Sequence, residues 1–158
     1  MVRALLFMAF VCAAATALAE VGERADVPEL AKGASRIVVA HVSNVESRFE
    51  TNRFGDQLIV STVALDVVET LKGPDTRQLL VSVEGGTVGD LTLKVSDLPE
   101  LRQGERAVFF LDGEEPFRPH ERGRGILKLK ADDRLDDDNE TLDDVRGRIR
   151  AALAQGGR

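Results

Sequence analysis

The sequence predicts a mainly β domain with a short helix before its strands and a longer helix after them. Several segments are rich in β-branched residues and either alternate apolar with polar residues or are apolar throughout, as strands do. Glycine and proline clusters separate these segments and are typical of turns. Apolar residues recur at helical spacing only towards the two ends, so we expect one β domain over residues 20–154, with a frayed tail at 155–158.

Residues 1–19 are typical of a secretory signal peptide. Arg3 supplies the positive charge, an uncharged apolar stretch follows, and Ala17-Leu18-Ala19 predicts cleavage between Ala19 and Glu20. The stretch is shorter than the roughly 20 apolar residues of a membrane span. We therefore expect an exported protein, periplasmic or extracellular, with no membrane span after cleavage.

Composition excludes several classes of function. The formal net charge is −6, which argues against nucleic acid as a partner. The one cysteine, Cys12, lies within the predicted signal peptide, so the exported part has no disulfide and no thiolate nucleophile. The chain has neither tyrosine nor tryptophan, and base or sugar stacking would depend on phenylalanine alone.

The first half of the domain predicts a helix and two long strand segments. Asp26 can cap a helix that has Pro28 in its first turn, and Gly33 should end it. The run 37–42 is apolar on both faces, which favours a buried strand. In 59–71 the odd positions are mostly apolar, so one face of this strand should be buried.

Two shorter strands follow, at 79–84 and 91–96, each with alternating apolar residues. The cluster Gly85–Gly89 joins them and predicts a hairpin with positive φ angles or a close backbone approach. A meander is the expected topology.

The run 106–111 is apolar on both faces and is expected at the centre of the core. Phe109 and Phe110 cannot both point to one side of a strand, so one of them should face a helix or a second layer. Residues 112–125 are polar and read as a long surface loop. A short strand at 126–130 should follow.

The second helix should begin at Thr141, where Asp144 takes the place of glutamate in a capping box. An apolar stripe then follows at helical spacing, so the helix should dock on the sheet. Its members are Leu142, Val145, Ile149 and Ala152 or Leu153.

No catalytic or metal-binding motif stands out from the sequence. His41 and His120 have no second histidine or carboxylate at metal-ligand spacing, and His120 is expected in solvent. A carboxylate-based hydrolase, with Glu84 paired with Asp90 or Glu105 across a cleft, is an alternative function.

The acidic run 132–140 offers weak calcium ligands, with Asp136, Asp138 and Glu140 as candidates. It lacks the glycine and regular spacing of an EF-hand loop, and a solvated charge run is the main interpretation. A calcium-dependent envelope protein is the second alternative function.

A basic cluster precedes this run closely enough for the two to neutralise each other. Solvation or such pairing is the main interpretation, and an acidic protein partner is the alternative. The cluster comprises Arg118, Arg122, Arg124, Lys128 and Lys130.

Five segments together resemble a group of small exported bacterial proteins with an OB-like barrel, similar to the netrin-like and tissue-inhibitor-of-metalloproteinase domains. The segments are 37–42, the strand ending in Leu71-Lys72-Gly73, 83–89, 104–111 and the helix 141–153. The resemblance implies a five- to six-stranded OB-like Greek-key barrel and a role near secreted proteases. Zinc chelation by an amino-terminal cysteine, which inhibitors of that class use, does not carry over because the expected mature chain begins at Glu20.

A non-enzymatic protein-binding module is the leading hypothesis, with an unknown envelope or extracellular protein as its partner and no cofactor. The glycine cluster, the loop 97–104 and the loop 112–125 are the expected contact regions because they are rich in glycine, proline and charge. The partner-binding candidates are Gly85, Gly86, Gly89, Arg118, Arg122 and Arg124.

Overall fold

A six-stranded, predominantly antiparallel sheet forms the body of the protein. The computed structural model describes residues 26–136 and 139–156. The predicted signal peptide, its cleavage site at Ala19 and Glu20, and the candidate ligand Asp138 lie outside these ranges. In chain order the elements are α1 Val27–Gly33, β1 Arg36–Thr51, β2 Gln57–Lys72, β3 Gln78–Glu84, β4 Gly86–Val88, β5 Leu91–Leu93, β6 Arg106–Asp112, β7 Arg118–Pro119, a 3₁₀ turn Arg122–Gly125, β8 Ile126–Leu129 and α2 Leu142–Gly156.

The strands lie in the order β3-β2-β1-β6-β7, and β8 pairs with β6 on the same side as β7. The pairings of β1 with β2 and of β2 with β3 confirm the meander for these strands. β4 and β5 form a separate two-stranded ribbon. The six strands do not close into a barrel. Among the described residues, the backbone pairing on the outer edge of β3 is limited to an isolated parallel bridge between Val81 and Phe117.

β1 is longer than the run 37–42 because it continues beyond a break in register at Ser43. There the pairing with β2 skips one residue, and the Ser43 hydroxyl donates to the carbonyl of Ala64 at 3.1 Å. An extra residue reverses the alternation of a strand. Val42 and Val45, of opposite parity, therefore both reach the same apolar cluster.

Two apolar clusters lie on opposite faces of the sheet. One contains the buried residues of α1 and α2 together with Ile37, Val39 and Phe110. The other lies inside the curved sheet and contains Phe109 with apolar residues of β1, β2, β3 and β6. β1 and β6 contribute to both, which explains why these two strands are apolar throughout.

Both helices begin at the predicted caps. The Asp26 side chain accepts from the amide of Glu29, and α1 ends at Gly33. At α2 the Thr141 amide donates to Asp144 Oδ2 at 3.1 Å, while the Asp144 amide donates to Thr141 Oγ1 at 3.2 Å, so the capping box is confirmed. The stripe of Leu142, Val145, Ile149 and Ala152 is buried as predicted.

Several sequence predictions are wrong. β5 pairs with β4 rather than with β3, and its Leu91 is 62% exposed, because the ribbon lies outside the main sheet. The segment 112–125 is not simply a surface loop, since it contains β7 and the 3₁₀ turn. α2 extends to Gly156, and residues 157 and 158 of the predicted tail lie outside the described ranges. Within the described ranges, no helix is long and apolar enough to cross a membrane.

Candidate functional site

Arg122 holds together three segments that meet at one end of the sheet. Its Nη2 lies 3.1 Å from Glu84 Oε2, at the end of β3, and 3.2 Å from Asp97 Oδ1 in the loop after β5. Its Nε also donates to Asp97 Oδ2. Glu121 and Arg122 both adopt positive φ angles, 49° and 59°, and this turn places the guanidinium between the two carboxylates.

The ion pairs shift the acidity of the groups that form them. The hydrogen bonds from Arg122 lower the pKa of the Asp97 carboxyl below its ordinary value. The bonds to Asp97 and Glu84 raise the pKa of Arg122 still further above its usual range. Asp97 and Arg122 therefore both stay charged at neutral pH.

A groove of about 370 Å³ opens beside these ion pairs. One wall is the end of β3 and the opposite wall is β7, and the hairpin that joins β1 to β2 borders one end. Its lining mixes charged, polar and apolar groups: Glu50, Thr51, Asn52, Leu58, Val60, Ser82, Val83, Glu84, Leu98, Arg118, Pro119 and Arg122.

Proline explains why β3 and β7 separate at this groove. The amide of Phe117 donates to the carbonyl of Leu80 at 2.8 Å, and the amide of Ser82 donates to the carbonyl of Phe117 at 2.7 Å. In a parallel ladder the amide of residue 119 would be the next donor, and it would donate to the carbonyl of Ser82. Pro119 has no N–H, so the ladder stops there.

Arg118 is the unpaired cation of the groove. Its side chain is exposed and makes no hydrogen bond or ion pair with any residue in the described ranges. The neighbouring carboxylates have other partners, because Glu84 binds Arg122 and Glu50 binds Arg48. An anionic group entering the groove therefore meets a free guanidinium.

The glycine cluster borders a second, smaller cavity of about 230 Å³. Gly85 and Gly86 have φ angles of 103° and 127°, as predicted for this cluster. The Ser61 hydroxyl donates to the carbonyl of Gly85 at 2.6 Å and lies 2.9 Å from the Ser47 hydroxyl. A side chain on Gly86 would contact both hydroxyls at 2.3 Å, so the backbone passes directly over the serines.

The structure gathers four of the six partner-binding candidates at this end of the sheet. Arg118 and Arg122 line the groove, and Gly85 and Gly86 line the smaller cavity. Gly89 and Arg124 line neither. They belong, respectively, to the β4–β5 turn and to an ion pair with Glu121, at 2.8 Å.

The basic cluster is neutralised differently from the prediction. Among the described residues, Arg122 pairs with Glu84 and Asp97, Arg124 with Glu121, and Lys128 with Glu105. None of these three side chains pairs with a described acid of the run 132–140. Three acids of that run instead pair with arginines from outside the cluster. These pairs are Asp132 with Arg134, Asp133 with Arg106, and Glu140 with Arg148.

Among the described residues, the candidate groups for the hydrolase and for the calcium site are bound to other partners. Glu105 of the proposed carboxylate pair binds Lys128 Nζ at 2.8 Å and the amide of Arg102 at 2.9 Å, while Glu84 is bound by Arg122. Both oxygens of Glu140 bind Arg148, at 2.9 and 3.0 Å. No group of three potential metal ligands occurs within 26–136 and 139–156.

His120 differs from its expected solvated position. Its side chain is 17% exposed, and Nδ1 lies 2.5 Å from Asp112 Oδ2. The imidazole packs directly on Gly33, where an added Cβ would lie 2.4 Å from Nε2. His120 therefore joins β7 to the end of α1 and lies outside the groove lining.

Several residues of the site had no clear signal in the sequence. Ser82 contributes its backbone amide, which donates to the carbonyl of Phe117, and such contributions leave no mark on residue type. Phe54, at the tip of the β1–β2 hairpin, is 75% exposed and stacks against Arg53, whose guanidinium carbon lies 4.7 Å from the ring centre. Pro119 was the available signal, because proline within a strand marks an unpaired edge.

No family model matches the chain, and no curated protein is similar to it in sequence. The assignment of a function therefore depends on the groove, its charges and the loops around it.

Proposed function

We propose that the protein is a non-enzymatic exported binding module that contacts a protein partner with the end of the sheet around Arg122. One observation carries this proposal. Three segments from separate parts of the chain, ending β3, following β5 and following β7, are held by Arg122 around an open groove. Loops positioned by a rigid scaffold are the usual place for binding residues.

The exposed hairpin tip beside the groove supports the same function. Phe54 is 75% exposed, although phenylalanine is ordinarily buried. Aromatic residues are enriched at the energetic centres of protein interfaces. A partner that covers the groove and the hairpin tip would remove this ring from water.

We also propose the finer fold that goes with this function, a partly open, OB-like Greek-key barrel. The isolated bridge between Val81 and Phe117 supports it, because this bridge joins the two outer strands of the sheet. On this proposal the groove is the part of the barrel wall that Pro119 leaves open. Export follows from the amino-terminal sequence, and the exported form should begin at Glu20.

The experiment is affinity capture of envelope and culture-medium proteins of the source cell on the immobilised protein, with identification by mass spectrometry. The test variant is R118E/F54A, which alters the groove and the hairpin tip. The matched control is R77E/V68A, which alters exposed residues away from the groove. A partner retained by the wild type and the control, and lost by the test variant, supports the proposal. An empty capture, or equal capture by both variants, contradicts it.

A further inference from the structure

We infer that the groove binds an extended peptide segment, which pairs with the outer edge of β3 and places a carboxylate on Arg118. This inference rests on the proposed binding function and names the chemistry of the partner. It is carried by the backbone groups, the charges and the dimensions of the groove.

The outer edge of β3 offers backbone groups that no other strand occupies. The amide of Gly85 donates to the carbonyl of Ile59, so in this antiparallel pair the amides of odd residues in β3 face β2. The amides and carbonyls of even residues face outward. Phe117 binds the carbonyl of Leu80 and the amide of Ser82, and the Leu80 amide donates to Glu115 Oε1 at 2.8 Å. Among the described residues nothing binds the Ser82 carbonyl or the Glu84 amide.

The opposite wall offers a further acceptor. The amide of His120 donates to the carbonyl of Phe110, so the backbone of residues 117 and 119 faces away from β6 and towards β3. Phe117 uses this orientation for its two bonds to β3. The Pro119 carbonyl consequently faces the groove. A strand inserted here can donate to Ser82 on one side and to Pro119 on the other, which is recognition by β-strand addition.

Charge selects an acidic segment. Of the charged side chains that line the groove, Glu50, Glu84 and Arg122 are already paired, and Arg118 is free. A planar guanidinium binds a carboxylate through two parallel hydrogen bonds. A carboxylate on the peptide can therefore pair with Arg118, whereas a basic segment would meet an unpaired cation.

The dimensions fit a short recognition segment. Ser82 and Glu84 are two residues apart, which corresponds to about 6.8 Å along a strand. Two to three residues of a peptide therefore suffice to use both backbone groups. The apolar part of the lining, Leu58, Val60 and Leu98, accommodates an apolar side chain next to the acidic one.

The test uses two synthetic peptides of alternating valine and threonine, one with a central glutamate and the other with glutamine in its place. Binding to the purified protein is measured by fluorescence anisotropy, and the backbone amides are followed by NMR. The glutamate peptide should bind about tenfold more tightly, as expected for a charge-assisted hydrogen bond. The Glu84 amide resonance should shift, and its hydrogen exchange should slow.

Two variants localise the effect. R118Q should remove the preference for glutamate, whereas the matched control R77Q, an exposed arginine away from the groove, should keep it. P119V supplies the missing N–H at the position that faces the Ser82 carbonyl. Extension of the β3–β7 ladder should then close the groove and weaken both peptides, while thermal unfolding verifies that the variant is folded.

The inference would be overturned if neither peptide binds, if both bind equally, or if R118Q keeps the preference for the glutamate peptide. These results are distinguishable from failure of the proposed function. Suppose that a captured protein is lost by R118E/F54A while R118Q binds the peptides as the wild type does. The protein would then be a binding module whose partner does not use the edge of β3. An empty capture would remove the binding module itself.

Discussion

Phe109 and Phe110 are adjacent in β6, yet their fully buried rings belong to different apolar clusters on opposite faces of the sheet. Phe109 packs inside the curved sheet, and Phe110 packs against the layer formed by α1 and α2. The alternation of side chains along a strand makes this arrangement unavoidable. β6 thus joins the helical layer to the sheet interior.

F109L and F110L should each destabilise the protein by about 1–3 kcal/mol, because each leaves a well-packed site incompletely filled. Since the two rings share neither cluster, the effects should add to within about 0.5 kcal/mol in the double variant. Denaturant unfolding of the four proteins measures this. A coupling free energy larger than about 1 kcal/mol in magnitude would show that the two clusters act as one core.

Much of this architecture was accessible from residue patterns. Three features depend on local periodicity or local hydrogen bonding. They are the run 106–111, which is apolar on both faces, the buried odd positions of 59–71, and the helix cap formed by Thr141 and Asp144. Such interactions are encoded within a few residues. All three therefore agree with the structure.

Other features depend on contacts between distant parts of the chain. Leu91 has the alternation of a buried strand, but in the described part of the chain β5 pairs only with β4. No local signal reveals that this ribbon lies outside the main sheet. The two partners of Arg122 could not be predicted from the sequence either, because the topology brings Glu84 and Asp97 to it. The groove exists because two strands that are distant in sequence meet at Phe117 and separate at Pro119.

Lys72 caps the carboxyl end of α1, and its removal should destabilise the protein. Its Nζ lies 2.9, 3.2 and 2.6 Å from the carbonyl oxygens of Ala31, Lys32 and Ala34. Hydrogen bonds to a charged group contribute about 1.5–3 kcal/mol, so K72M should lower the free energy of unfolding by roughly that amount. K94M, at an exposed lysine, is the control and should change it by less than about 0.5 kcal/mol. A K72M protein as stable as K94M would contradict the cap.

Two glycines of the same cluster should respond differently to alanine. At Gly86 the new Cβ would lie 2.3 Å from the hydroxyls of Ser47 and Ser61, and φ is 127°. At Gly89 φ is 59° and nothing lies within 4 Å. G89A should therefore cost about 1–2 kcal/mol, the penalty of a left-handed residue, and G86A should cost more. Equal values of the unfolding free energy for G86A and G89A would show that the approach to the serines is not tight.

The ion pair of Arg122 with Asp97 should make stability depend on acid pH. Because Arg122 lowers the folded-state pKa of Asp97, this contribution is fully present above the unfolded value of about 3.9 and is lost as pH falls through the folded value. In R122Q the Asp97 pKa should return towards its ordinary value, and the variant should lose less stability on acidification than the wild type. NMR titration of the carboxyl groups measures the pKa of Asp97. Thermal unfolding between pH 7 and about pH 2 measures the loss of stability. An unchanged Asp97 titration in R122Q would show that the pair does not form in solution.

Removal of the exposed ring at the hairpin tip should separate binding from folding. Phe54 is 75% exposed, so F54A removes little buried surface and should change the free energy of unfolding by less than about 0.5 kcal/mol. The turn itself is retained, because the Asn52 side chain accepts from the amides of residues 54 and 56, each at 2.9 Å. If the ring is covered by the partner, F54A should weaken capture by about tenfold or more, as truncation of an aromatic interface residue does. V68A, at a similarly exposed apolar residue away from the groove, is the matched control. Equal capture by F54A and V68A would place the partner interface away from the hairpin tip and would restrict it to the groove and its loops.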